Sequence, residues 1–193
     1  MREIVLRSIN KQYAVTNFAV NLGADKYHRL KIEDILINEH YETTAGRKKD
    51  RLRVNWAFWN DFRKKHPYYC LYLDELHNVI SSRQSMSSVN IQMSRFISQI
   101  RKVLFDKADN HIFLITQKLK KIDVDWRDLV HLYIECSKIK IGDGIYIKQK
   151  FYNTIEAYEC GYSIMAKVFR ANGYFKYYDS LKMVKFEDSE VYI

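Results

Sequence analysis

Six consecutive apolar residues, Tyr68-Tyr69-Cys70-Leu71-Tyr72-Leu73, run without alternation and stop at Asp74-Glu75. A strand with one wet face alternates apolar and polar side chains, whereas a strand covered on both faces does not. The run therefore predicts a central strand of a parallel sheet with helices on both sides. His111 to Thr116 (HIFLIT) reads as a second such strand and Val130 to Glu135 (VHLYIE) as a third. Between the first two, Val89 to Phe105 carries Ile91, Phe96, Ile97, Ile100 and Leu104 near helical spacing. Trp56 to Lys65 predicts another amphipathic helix, ended by His66-Pro67.

The remaining segments fit around that frame. Residues 2–12 place Ile4, Val5 and Ile9 on one helical stripe, and Tyr13 to Val20 reads as a strand. Residues 31–39 read as a helix, Glu42 to Arg53 as an exposed charged loop, and Asp125 to Leu129 as a short helical turn. Ile139 to Tyr152 predicts a hairpin turning at Gly142-Asp143-Gly144. The expected fold class is α/β, a mainly parallel sheet with flanking helices plus a C-terminal β-hairpin and an aromatic tail. Residues 1–140 are expected to form the core and residues 141–193 a β-rich extension of the same domain.

Charge narrows the choice of partners. The chain has 32 Lys+Arg against 23 Asp+Glu, a net charge of +9 and a pI near 9.3. That field favours a polyanion, and nucleic acid is the commonest one. Basic clusters occur at Arg47-Lys48-Lys49 with Arg51 and Arg53, at Arg63-Lys64-Lys65, and at Lys118 with Lys120-Lys121. Arg47, Lys48, Lys49, Lys120 and Lys121 are the expected contacts to DNA phosphates, made without reading sequence.

Other classes are disfavoured. Cys70, Cys136 and Cys160 are far apart and form no CxxC, and the histidines show no HxxxH or HExxH spacing, so a structural metal is not expected. Cys70 and Cys136 sit in apolar runs and are expected to be small buried hydrophobes in a reducing compartment. The start, Met1-Arg2-Glu3, is followed by no apolar signal-peptide core, and no stretch reaches membrane-span length. A soluble cytoplasmic protein is expected, in the host cytoplasm if the chain is viral.

The chemistry-bearing pattern is the strand that ends in two acids. Carboxylates at the carboxyl edge of a parallel sheet lie where open α/β folds bind ligands. In nucleotide-hydrolysing enzymes this is the Walker B arrangement. Asp74 would hold Mg²⁺ through water, because magnesium gives up its hydration shell reluctantly, and Glu75 would deprotonate the attacking water. Thr116 and Gln117, ending the next strand, could bond the γ-phosphate or that water. A transition-state arginine supplied by a neighbouring subunit would come from Arg127 or Arg101, with Arg95 behind them.

In order, DELHNVISSRQSMS, FISQIRKVLFDKADNHIFLITQ and IDVDWRDLVHLYIEC resemble the zonular occludens toxin-like ATPases of filamentous phages, and more broadly the FtsK–HerA superfamily of DNA-pumping motors. The matching features are the acidic pair, a Ser/Arg-rich loop at residues 81–87, a helix ending in Arg101-Lys102 and the glutamine Gln117. The resemblance covers residues 1–140, with a weaker echo at 174–185. It implies a P-loop ATPase, hexameric, using ATP and Mg²⁺ to translocate or package DNA. The chain departs from that pattern in carrying no GxxxxGK[ST], since Ala45-Gly46-Arg47-Lys48-Lys49 is no substitute. As written it is expected to hydrolyse ATP poorly or not at all, either because it starts downstream of its phosphate loop or because it is a degenerate paralogue. The alternative reading is a non-catalytic nucleic-acid-binding or assembly scaffold on a decayed P-loop fold. The absence of a membrane span points to a soluble packaging motor over an anchored assembly protein.

Overall fold

The computed structural model describes residues 1–23, 25–42, 44, 46–75, 87–104, 110–122 and 124–177. Four strands form a parallel sheet: β1 (Tyr13–Thr16), β2 (Tyr27–Arg29), β5 (Tyr69–Leu73) and β6 (His111–Leu114), in the order β2-β1-β5-β6. β5 lies inside the sheet, and all five of its residues are buried. Its alternate side chains feed two cores. Tyr69, Leu71 and Leu73 pack with Trp59 and Phe62 of α3 (Trp56–Lys65) and with Met93, Phe96, Ile97 and Ile100 of α4 (Ser88–Leu104). Cys70 and Tyr72 face the other way, toward Ile4 of α1 (Arg2–Ile9), Phe18 and Val20. The architecture is α/β with helices on both faces of a parallel sheet, as expected.

Local chemistry sets the entries to these elements. The Asn55 side chain accepts from the Phe58 amide at 3.1 Å and caps α3, while its Nδ2 donates to the Glu33 carbonyl. Buried Asn110 accepts from the Tyr69 amide at 3.0 Å and donates to the Pro67 carbonyl, so the start of β5 is tied to the start of β6. The Tyr72 and Phe113 rings stack at 4.7 Å on adjacent strands.

Five local expectations are corrected. Residues 31–39 are helical only over α2 (Ile32–Ile35); from Leu36 the chain becomes β3 (Leu36–Glu42). The expected loop is the other arm of an antiparallel hairpin, β4 (Lys48–Val54), in register from Leu36↔Val54 to Glu42↔Lys48. Most of this ribbon is exposed on both faces, so no apolar alternation marked it. The third parallel strand is also displaced. β7 (Tyr133–Ile141) starts three residues late and runs antiparallel to β8 (Gly144–Tyr152), which pairs with β9 (Met165–Arg170). Tyr133 is buried while Leu132 and Ile134 are exposed, the one-sided burial of an antiparallel sheet. Cys136, placed on that strand, is exposed rather than buried, and so is Ile9 at the end of α1.

The expected hairpin turn is present, with Gly142 at φ +56, the left-handed first position of a type II′ turn. Two further α-helices follow, α5 (Val124–Arg127) and α6 (Ile155–Glu159), and a 3₁₀ helix at Asn172–Tyr177 ends the described chain. Among the described residues no helix is long and apolar enough to cross a membrane.

On the β3–β4 hairpin Glu39 accepts from Arg51 Nε and from Arg53 Nη1, each at 2.6 Å. The Arg51 hydrogen bond above all holds its carboxyl below the ordinary glutamate range; desolvation, the next largest effect, opposes it, and the Arg53 hydrogen bond and the two guanidinium charges add to the lowering. A depressed carboxylate contributes stability above its unfolded value, about 4.3, and loses it as pH falls through the folded value. In an NMR titration Glu39 should titrate below that value, and Arg51→Gln with Arg53→Gln should return it to the ordinary range.

Candidate functional site

Because the four strands are parallel, their carboxyl ends share one edge. The chain leaves β1 toward β2 on one side and leaves β5 toward β6 on the other, so the winding reverses between β1 and β5. Such reversals leave a crevice at the carboxyl edge of the sheet. Asp74 and Glu75 follow β5 directly at this place, and Gln117 lies just beyond the end of β6.

The structure brings Glu75 and Gln117 together: Gln117 Nε2 donates to Glu75 Oε1 at 2.9 Å. Asp74 Oδ1 accepts from the Glu75 amide at 2.9 Å, closing a tight turn at the strand end. Glu75 itself has φ +50, a left-handed conformation that costs a non-glycine residue about 1–2 kcal/mol. Strain at a carboxylate on a sheet rim is the kind that accompanies a functional constraint. Thr116 is half-buried, and its hydroxyl accepts from the Lys118 amide at 3.1 Å, bending the chain after β6.

One participant had no sequence signal. Asn17, one residue past β1 and 1% exposed, spans the gap to β5 with both ends of its amide. Its Nδ2 donates to the Asp74 carbonyl at 2.9 Å, and its Oδ1 accepts from the Asp74 amide at 2.8 Å. This pair imitates a parallel-strand ladder beyond the point where the backbone ladder ends, and it fixes the acidic pair against β1. An asparagine at a strand end is common, and only the pairing of β1 with β5 gives it this role.

The other expected residues are more dispersed. Arg127 ends α5; its carbonyl accepts from the Tyr133 hydroxyl at 2.9 Å, and its Nε is buried with no hydrogen-bond partner among the described residues. Arg95 and Arg101 lie on α4, and Lys121 in a 3₁₀ turn, Leu119–Lys121, beside exposed Lys120. The side chains of Arg101 and Lys121 lie outside the described atoms, as do residues 81–86 of the Ser/Arg-rich loop and 178–185 of the tail. Arg47, Lys48 and Lys49 are exposed at the tip of the β3–β4 hairpin, where the strand alternation separates Lys48 from Lys49. Among the described residues no cluster of three or more His, Cys, Asp or Glu could hold a metal by itself. Two adjacent carboxyls suit a hard cation that keeps most of its water.

Replacing Asn17 by Ala would leave the Asp74 amide and carbonyl without their partner. Loss of both bonds should cost about 1–3 kcal/mol in chemical denaturation, and Asn17→Asp, which cannot donate to the carbonyl, should not restore it. No protein-family model matches this sequence, and neither a curated protein nor a solved structure shows significant similarity to it.

Proposed function

We propose that this chain is the acid-bearing part of a P-loop-type ATPase that moves DNA, a motor subunit working as a hexamer. The observation that supports this reading is the meeting of Glu75 with Gln117 at the carboxyl edge of a parallel sheet, directly after Asp74. Asp74 would hold Mg²⁺ through water, and the ion would supply charge neutralisation to the phosphate oxygens. Glu75 accepts the proton of the attacking water as the new O–P bond forms and the bond to the leaving diphosphate breaks. Gln117, bonded to one Glu75 oxygen, orients the base and its water, and Thr116, the residue before it, would bond the γ-phosphate. Asn17 positions the acids by holding the Asp74 backbone. The charge in trans would come from Arg127 or Arg101 of a neighbouring subunit, and the net charge of +9 suits the DNA track.

The sequence holds no GxxxxGK[ST], the loop whose backbone cradles the β- and γ-phosphates. That same absence favours the second reading, a nucleic-acid-binding or assembly scaffold without turnover. The two separate in a Mg²⁺-dependent ATPase assay on protein expressed with the coding sequence preceding Met1. Under the ATPase reading Glu75→Gln lowers kcat by about 10²–10⁴-fold, with folding checked by circular dichroism, and Gln117→Ala causes a smaller loss. Turnover equal in wild type and Glu75→Gln would reject Glu75 as the base, and no turnover in either would favour the scaffold.

A further inference from the structure

The register of the β3–β4 hairpin sorts its charges by face. Leu36, Asn38, His40 and Glu42 share one face with Val54, Leu52, Asp50 and Lys48. This face is anchored and balanced: Leu36 and Val54 are buried, Leu52 packs on the core, His40 bonds Asp50 at 2.6 Å, and Glu42 stands opposite Lys48. On the other face Ile37, Glu39 and Tyr41 stand opposite Arg53, Arg51 and Lys49. Three cations meet one acid there, and Ile37, Tyr41, Lys49, Arg51 and Arg53 are all exposed.

We propose that this Lys49–Arg51–Arg53 face is a docking surface for the phosphate backbone of duplex DNA. Alternate residues on a strand lie about 7 Å apart, so the three cations form a straight row along one edge of the ribbon. A two-stranded ribbon also matches the width of the major groove, about 12 Å. The arginines are pre-ordered: Glu39 holds both, and Arg51 lies 5.0 Å over the Tyr41 ring. Ordering them before contact removes part of the entropy cost of binding. Flexible, separately solvated lysines would have no such advantage. The balanced face, by contrast, offers a polyanion no net attraction. The proposal takes from the motor reading only the identity of the polyanion as DNA. The charge row is independent of Asp74, Glu75 and Gln117.

The test is fluorescence anisotropy with a labelled DNA duplex over a salt series, without ATP. Replacing Lys49, Arg51 and Arg53 together by Ala should weaken binding and make the slope of log K against log salt shallower by about 3, near 0.9 per cation lost. Lys48→Ala, one residue away on the opposite face, should leave the slope unchanged. Arg51→Lys with Arg53→Lys should retain it, which separates charge from folding. Equal slopes for the triple variant and wild type would overturn the proposal, as would an equal effect of Lys48→Ala. Loss of binding to phosphatidylserine vesicles while duplex binding stays intact would assign the face to a membrane instead. Preference for single strands with the same slope loss would refute the duplex fit. None of these outcomes depends on ATP turnover, so the docking face and the hydrolytic reading can fail separately.

Discussion

The burial of β5 on both faces is the constraint on which the other elements depend. Water reaches neither side of this strand, so its polar neighbours in sequence can be accommodated only where the strand leaves the sheet. Asp74 and Glu75 take the first two such positions. Their location at the rim follows from the cost of burying an ionised carboxylate, which the apolar slab between α1 and the α3–α4 pair could not offset. The same burial explains Asn110 at the other end, where its side chain satisfies the Tyr69 amide that would otherwise lack an acceptor.

At the rim, three strand ends combine what none could provide alone. β1 contributes the Asn17 amide, β5 the two acids, and the segment after β6 the Gln117 donor. The left-handed turn at Glu75 carries an energetic cost. The two Asn17 bonds, the Asp74–Glu75 turn and the Gln117 bond all restrain the chain in it. A strained carboxylate with its neighbours fixed is pre-organised for one task. In the proposed reading that task is taking a proton from water.

The β3–β4 hairpin answers a different physical problem. Its tip has almost no apolar side chains to bury, and it is held by backbone pairing and cross-strand ion pairs on a base of Leu36, Leu52 and Val54. Charge is therefore free to segregate by face without harming the core. The balanced side and the basic side result from the period of two along β4, in which Lys49, Arg51 and Arg53 fall together while Lys48 and Asp50 fall opposite.

What the sequence by itself determined is the set of elements whose burial is uniform. The β5 run and the α3 and α4 periodicities were legible because two-sided burial removes alternation and amphipathic helices repeat their apolar face. HIFLIT also marked a strand, but β6 lies at the sheet edge, with His111 exposed and Ile112 to Leu114 half-buried rather than covered on both faces. The acidic pair and Gln117 were legible too, as polar residues ending apolar runs. Tertiary structure decided the rest. The hairpin at 36–54 was hidden because two exposed faces leave no hydrophobic period, and VHLYIE misled because four apolar residues in a short window fit either sheet type. Asn17 became part of the site only through the adjacency of β1 and β5, strands more than fifty residues apart in the chain. A local pattern records which side chains avoid water, and only strand order determines which of them meet.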